Sequence, residues 1–595
     1  MAPTHTSLIS PALEMLNISI FGLLATASMA RALTLDEVCT LAHVKDSVPI
    51  QGFLPGLNTT DSIVTANPVY NVSVSDEPYY PDATFEYCNV TMTYSHSGKS
   101  DNVLLNFWLP SPENFKNRWV STGGFGFAIN VESTLPGGVI YGAATGRTDG
   151  GFGGFDTSFD DVFPLVNGTS NQDALFMFGY QAHHEMSSLG KAFTKTFYGL
   201  TDENKLYAYY QGCSEGGREG FSQVQRFPEE WDGAVIGAPA IRYGHQQVNH
   251  LFPQVAQQTL NYIPPYCELE KIVNLTIAAC DHLDGKKDGV VSRTDLCKLR
   301  FDFNSTIGQS YHCSATSAVN QRKRQMPSPA TPAQNGTVTA EGAALASTIY
   351  NGLHDSDGRR AYFWYQLGSE MSDAETQYDF TSAKWKIDIS ELGGEWVTRG
   401  LQLLELDNLS SLENITYDTL RDWMLEGWQR YDDVLQTTWS DLSPFEGAGG
   451  KIISYHGESD NSIPPASSVR FHESVRSTMY SNLSFQKSTS ALNDWYRLFL
   501  VPGASHCNTN SLQPNAPFPQ TSLGSLIDWV EHQEVPITLN STILSGDNKG
   551  AHQELCAWPL RPLWKDNGTS MDCVFDQESF DTWIYDLDAY ALPVY

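Results

Sequence analysis

Apolar positions fall into two regimes along the chain. In Val103-Leu104-Leu105-Asn106-Phe107-Trp108-Leu109 and in Trp119-Val120-Ser121 they run almost unbroken between turn residues, which predicts two strands. Ala174 to Phe197 repeats instead with helical spacing. Its His183-His184-Glu185 reads as ordinary helix, because the spacing is not the metal-binding H-E-x-x-H. Lys205 to Tyr210 then predicts a strand, Gly216 to Gln225 a helix and Trp231 to Pro239 a further buried strand. Gly137 to Phe155 reads as a glycine-rich loop. Strands alternating with helices predict a mostly parallel sheet with helices on both faces. The strand rhythm stops between about Ile241 and Gly447, where helical stretches (Gly342 to Leu353, Tyr417 to Leu435) alternate with irregular segments. It returns with Lys451 to His456 and Tyr496 to Val501. The expected organisation is one α/β domain, 33–240 and 448–595, interrupted by an inserted domain at 241–447.

Charge and cysteine usage narrow the partners and the compartment. The chain has 36 basic against 68 acidic residues and a net charge of −32, which argues against nucleic acid or an anionic membrane surface as partner. Residues 1–32 read as a signal peptide: Ile18 to Ala30 is a short apolar run, and Ala30-Arg31-Ala32 offers an A-x-A cleavage site. No later run is apolar and long enough to span a bilayer. Beyond the leader lie twelve sequons, at Asn58, Asn71, Asn89, Asn167, Asn274, Asn304, Asn335, Asn408, Asn414, Asn482, Asn540 and Asn567. With an export signal, they point to a glycosylated, extracellular protein. Ten cysteines in such a chain imply disulfides, whose pairing spacing alone does not decide.

The chemistry concentrates at strand ends. Gly212-Cys213-Ser214-Glu215-Gly216 fits the G-x-S-x-G elbow, in which a strand turns sharply at the serine and a helix leaves at once. Alone the pentapeptide is a weak motif. Downstream, the strand from Lys451 ends near Asp460 and the strand from Tyr496 ends near His506, so the order is Ser, Asp, His, that of an α/β-hydrolase. A serine hydroxyl needs a base to take its proton, and the imidazole needs an acid to fix its tautomer. Ser214, His506 and Asp460 are the candidates for those roles. Glu458 rivals Asp460, and His456 rivals His506 but reads as structural. The backbone N–H groups of Glu215 and of Gly124, in the turn Gly123-Gly124-Phe125-Gly126, are the candidate oxyanion donors. That turn has neither dinucleotide nor Walker spacing, so a phosphate cradle is excluded. Cys213 adjoins the serine and Cys507 the histidine, and a bond between them would tie base to nucleophile. A thiol nucleophile at Cys213 is the disfavoured alternative in an oxidising compartment.

Two stretches of the insertion are chemically pointed. Asp281, Asp284 and Asp288, with Gly285 and Gly289 between Cys280 and Cys297, make a tight loop able to turn several oxygens onto a hard cation. Calcium is the expected ion, with the carbonyls of Lys286 and Val290 completing its shell; a solvated acidic turn is the plain alternative. Gln321-Arg322-Lys323-Arg324-Gln325 borders a Pro/Ser-rich stretch and reads as a processing site after Lys323-Arg324, against the plain reading of a solvated charge run.

Cys-Ser and His-Cys around an intervening Asp resemble the signature of the fungal tannase and feruloyl esterase family, α/β-hydrolases with a large lid domain. The resemblance extends from about Cys39 to Tyr595. It is closest to secreted fungal tannases in Cys267 to Val273, Cys280 to Cys297, Tyr455 to Pro465, Gly503 to Pro514 and the Val594-Tyr595 terminus. It implies hydrolysis of galloyl ester and depside bonds of tannins, a lid calcium site on the residues above and no organic cofactor. It also implies the Cys213–Cys507 bridge and processing into two disulfide-linked chains. The remaining cysteines are expected, under the same resemblance, to pair as Cys280–Cys297, Cys39–Cys88, Cys267–Cys313 and Cys556–Cys573. Small galloyl esters are the implied partners, and a homo-oligomer is left open. Feruloyl esterase, a non-catalytic polyphenol binder on a degenerate hydrolase fold and a secreted serine peptidase are the competing readings.

Overall fold

The central sheet has ten strands. In chain order these are β1 (Leu57–Asn58), β2 (Thr65–Val74), β3 (Ala83–His96), β4 (Val103–Pro110), β5 (Arg118–Thr122), β6 (Ala143–Thr148), β7 (Tyr207–Cys213), β8 (Gly233–Gly237), β9 (Lys451–Gly457) and β10 (Tyr496–Val501). The computed structural model describes residues 33–59, 62, 64–317 and 330–591. The leader at 1–32 and the Lys323-Arg324 site lie outside the described residues. The strands run β1-β3-β4-β6-β5-β7-β8-β9-β10, with β2 pairing β3. From β6 to β10 every pairing is parallel; β1 to β4 add an antiparallel wing at one edge.

A parallel sheet needs both faces covered, and the strand sequences supply this residue by residue. Ala208, Tyr210, Ala234, Ile236, Ile452 and Leu498 join one apolar cluster, while their neighbours Tyr209, Val235, Ile453 and Phe499 join another. Alternate side chains thus feed opposite faces, as a two-residue period requires. The first face is covered by α1 (Ala182–Phe197) and α2 (Glu215–Arg226), and the second by a helix at Ser522–His532.

The stretch 137–155, read as a loop, holds strand β6. Its Ala-Ala-Thr-Gly-Arg-Thr lacks large apolar residues because neighbouring aromatics occupy the space. A Cβ on Gly146 would stand 2.7 Å from the Trp119 ring and 2.9 Å from that of Phe107. Strands β2 and β3 were also not anticipated.

The segment 241–447 gives the sheet no strand among its described residues. It holds helices, including α3 (Tyr243–Asn249) and α4 (Tyr266–Cys280), and two separate hairpins, Ser310–Cys313 with Gln334–Thr337 and Thr376–Asp379 with Lys384–Ile387. The ten cysteines form Cys39–Cys88, Cys213–Cys507, Cys267–Cys313, Cys280–Cys297 and Cys556–Cys573. Among the described residues no helix is long and apolar enough to cross a membrane.

Candidate active site

Ser214, Asp460 and His506 each follow the carboxyl end of a parallel strand: β7, β9 and β10. Open α/β sheets collect ligands at that end. Ser214 is held at φ 66° and ψ −122°, a conformation rare outside glycine, between the strand and α2. The turn closes only because its flanks lack side chains. A Cβ on Gly212 would lie 2.5 Å from the Gly216 carbonyl oxygen, and one on Gly217 would lie 2.5 Å from that of Gly237.

The three side chains meet. His506 Nε2 is 2.8 Å from Ser214 Oγ, and His506 Nδ1 is 2.7 Å from Asp460 Oδ2. With a carboxylate at Nδ1, that nitrogen carries the proton and Nε2 accepts from the serine hydroxyl. Asp460 is fully buried, and its Oδ1 accepts the N–H groups of Ser462 and Ile463, each at 2.8 Å. Burial alone would raise its pKa, but the imidazoles of His506 and His456 reverse this and hold the carboxyl well below the usual range. His456 Nε2 lies 3.1 Å from Asp460 Oδ2 and 3.0 Å from the Ile463 carbonyl oxygen, so it donates to both. Its Nδ1 faces Ser468 Oγ at 2.8 Å. His456 therefore steadies the acid and makes no bond to the serine.

Glu458 points away from Ser214. It is buried in an ion pair with Arg561 Nη2 at 2.6 Å and accepts from Thr294 Oγ1 at 2.5 Å, and the threonine bond joins the acid turn to the inserted segment. The Cys213–Cys507 bond, with Cα atoms 6.1 Å apart at a sequence separation of 294, locks the residue before the serine to the residue after the histidine.

The candidate oxyanion donors fare differently. The Glu215 N–H opens the first turn of α2 and has no acceptor among the described residues. The Gly124 N–H is taken: it donates to Glu219 Oε2 at 3.1 Å, while the Gly124 carbonyl accepts from Gly216 N–H at 3.1 Å. Gly124 is therefore corrected from donor to anchor, because its amide hydrogen is turned into the buried side of α2. The next two amides of the turn, Phe125 and Gly126, have no acceptor among the described residues and are the ones left for a second donor.

A polar wall was missed. On and just beyond α3, Gln246 Nε2 lies 2.6 Å from His250 Nε2, His250 Nδ1 lies 2.8 Å from Asp373 Oδ2, and Asn249 Nδ2 donates to Tyr365 Oη at 3.0 Å. Tyr365 Oη is 3.5 Å from the Ser462 carbonyl oxygen, and Asn461 Nδ2 donates to Ser372 Oγ, so the wall abuts the turn carrying Asp460. The buried oxygens Gln247 Oε1 and Asn249 Oδ1 have no hydrogen bond among the described residues. The amide-rich run Gln246-Gln247-Val248-Asn249-His250, shortly after a strand end, was the available signal.

The family model for Tannase and feruloyl esterase matches residues 88–579. The chain belongs to the tannase and feruloyl esterase family. It is 51% identical over 585 residues to a tannase of Aspergillus oryzae, covering 96% of this chain and 98% of that one. With a probable feruloyl esterase of Arthroderma benhamiae it shares 30% identity, over 94% and 98% of the two chains. Tannin acyl hydrolase from Aspergillus niger matches in structure with a TM-score of 0.91 at 56% identity, over 94% of this chain and 99% of that one. Feruloyl esterase B from Aspergillus oryzae shares the fold at a TM-score of 0.66 and 24% identity, over 90% and 99%.

In this family member the acidic loop is built as an open cradle. Asp281 Oδ1 accepts the N–H groups of Asp288 and Gly289, and Asp284 Oδ1 accepts that of Lys286. Asp284 Oδ2 is buried without a hydrogen bond among the described residues, and burial, with the charges of Asp288 and Asp281, pushes its carboxyl up to about 6 against the opposing pull of the Lys286 N–H and the Ser292 hydroxyl. The carbonyls of Lys286 and Val290 accept no hydrogen bond among the described residues. One orphaned carboxylate oxygen and two free carbonyls suit a hard cation. Lys286 Nζ meanwhile sits 2.8 Å from Asp288 Oδ2. The loop's three carboxylates do not gather within 4.8 Å of one another; among the described residues those of Asp160, Glu395 and Asp407 do, and Arg399 pairs with each of them.

The Glu458–Arg561 pair yields a stability prediction. Glu458→Gln leaves the buried Arg561 guanidinium with Asp295 as its remaining carboxylate, at 3.3 Å, and should cost about 3 kcal/mol. Urea unfolding checks this, and a loss under about 0.5 kcal/mol, the size of an ordinary surface change, contradicts it.

Proposed function

We propose that the protein is a secreted serine esterase that hydrolyses the galloyl ester and depside bonds of hydrolysable tannins and releases gallic acid. The reaction type rests on one observation, the unbroken contact from Asp460 through His506 to Ser214 Oγ. The substrate class rests on the 51% identity to a tannase. His506 Nε2 takes the hydroxyl proton as Ser214 Oγ attacks the ester carbonyl carbon, and Asp460 stabilises the imidazolium formed. The carbonyl oxygen, now negative, is held by the Glu215 N–H and by a second amide of the 123–126 turn. Collapse breaks the ester C–O bond, and the leaving alcohol takes the proton from His506. Water, deprotonated by the same imidazole, then releases gallic acid from the acyl-serine. A galloyl ring carries three adjacent hydroxyls, and Asn249, whose Nδ2 donates to the Tyr365 hydroxyl against the acid turn, offers them an amide oxygen with no hydrogen bond among the described residues.

With methyl gallate as substrate, Ser214→Ala should abolish turnover, and Asp460→Asn should lower kcat by about 10⁴-fold because the imidazole loses its tautomer control. Steady-state kinetics with methyl gallate and methyl ferulate decide between the substrate classes. Gallate should be strongly preferred, and a preference for ferulate replaces this reading with feruloyl esterase.

Asp281, Asp284 and Asp288, with the carbonyls of Lys286 and Val290, would hold calcium, which supplies positive charge between carboxylates and no step of the reaction. Chelation should lower the melting temperature by several degrees, and added calcium should restore it. Unchanged melting in EDTA removes calcium from the account.

Cleavage after Arg324 would leave two chains joined by Cys213–Cys507 alone, since the other four bridges each lie on one side of that residue. After glycosidase treatment of secreted protein, one band is expected on a non-reducing gel and two on a reducing gel. A single reduced band rules out processing.

A further inference from the structure

Glu219 is a fully buried carboxylate five residues beyond the serine, on the second turn of α2. Taking a carboxylate out of water is costly unless its contacts repay it. The nearest guanidinium on the same helix, Arg218, bonds to Glu215 at 2.5 Å, not to Glu219. Glu219 Oε2 instead takes three contacts: Gly124 N–H at 3.1 Å, Tyr210 Oη at 3.3 Å and His183 Nε2 at 3.1 Å. Glu219 Oε1 has no hydrogen bond among the described residues.

These contacts clamp one peptide. Gly124 is held by its N–H on Glu219 and by its carbonyl on Gly216 N–H, and Gly123 N–H is fixed on the Gln211 carbonyl. The fit excludes side chains. A Cβ on Gly123 would stand 2.4 Å from both Gly216 Cα and Tyr210 Oη, and one on Gly124 would stand 1.5 Å from the Ala128 carbonyl oxygen. With Gly124 held at both ends, the amide hydrogens of Phe125 and Gly126 stay unbonded among the described residues. An oxyanion donor acts by being fixed before the charge develops, so whatever fixes the turn bears on the rate and not on ground-state binding.

We propose that Glu219 is a positioning residue for the oxyanion turn, acting through the Gly124 N–H on the amides that follow it. This rests on the reading of Ser214 as nucleophile. Its signature is a split between kcat and KM. Glu219→Met, which fills the space but removes the acceptor, should lower kcat for methyl gallate by about 30- to 100-fold with KM within about twofold, the size of losing one oxyanion donor or somewhat less. Glu219→Gln, which keeps an acceptor for Gly124, should recover most of that loss. Glu185→Met removes another buried carboxylate, one bonded to Tyr94 and His96, and controls for lost stability. It should keep kcat within about twofold of the native enzyme, since it leaves every oxyanion donor in place.

The second readout is phosphonylation by a fluorophosphonate, in which the serine displaces fluoride and the phosphoryl oxygen occupies the oxyanion position. The rate should fall in Glu219→Met in parallel with kcat. If Glu219→Met does not fold, Glu219→Gln decides alone, with a fall of about 3- to 10-fold in kcat and in phosphonylation expected for a charged acceptor replaced by a neutral one. Native kcat in the folded Glu219 variants, a rise in KM alone, or an equal loss in Glu185→Met overturns the proposal. Failure of the native enzyme to be labelled at Ser214 overturns the nucleophile reading instead.

Discussion

Everything at this site depends on bringing a base from one end of the chain onto a serine near its middle and keeping it there. Ser214 and His506 lie 292 residues apart, and their contact is 2.8 Å. A hydrogen bond of that kind is worth about 1 kcal/mol by itself and cannot hold two strand ends in register. The neighbouring Cys213–Cys507 bond does so covalently, between Cα atoms 6.1 Å apart. The backbone is forced on both sides of it: Ser214 has φ 66° and Cys507 has φ 56°. Strain of this sort persists only where surrounding contacts fix it, and here the disulfide and the glycine-lined elbow do so together.

The inserted segment is tied to the same machinery from the other side. Just past the acidic loop, Thr294 donates to Glu458, two residues before the acid, and Asp295 shares Arg561 with that same glutamate. Gln513 accepts from Val291 N–H at 2.8 Å and donates to Ser459 Oγ at 2.6 Å, one residue before the acid. The loop that collects carboxylates and the turn that presents Asp460 are therefore one hydrogen-bonded unit. The proposed cation in that loop would bear on the order of the turn without touching substrate.

Much of this was legible in the residues, and the limits have physical causes. The triad could be read because its three members sit at strand ends, where the pattern of apolar runs is clearest. Strand β6 could not, because Trp119 and Phe107 supply the bulk that its own alanines and glycine lack. The glycine turn after β5 could be singled out, but not that its Gly124 N–H is taken, since which amide stays free depends on a peptide orientation held by Glu219. In a helix reading Glu-Gly-Gly-Arg-Glu-Gly, polar residues suggest a solvated face. Here Glu215, Arg218 and Glu219 are all buried, Arg218 anchored on the carbonyls of Phe178 and Gly179 before α1. The polar wall of α3 escaped for a related reason: amide side chains mark neither a core nor a motif until their neighbours are known.

The central claim is that Ser214 becomes acylated by a galloyl group. Rapid acid quench of the enzyme during turnover of methyl gallate, followed by peptide mass spectrometry, tests it directly. A galloyl ester on the peptide carrying Ser214, absent in Ser214→Ala, is the predicted result. Turnover with no adduct on that peptide, or with the adduct on another residue, contradicts the account.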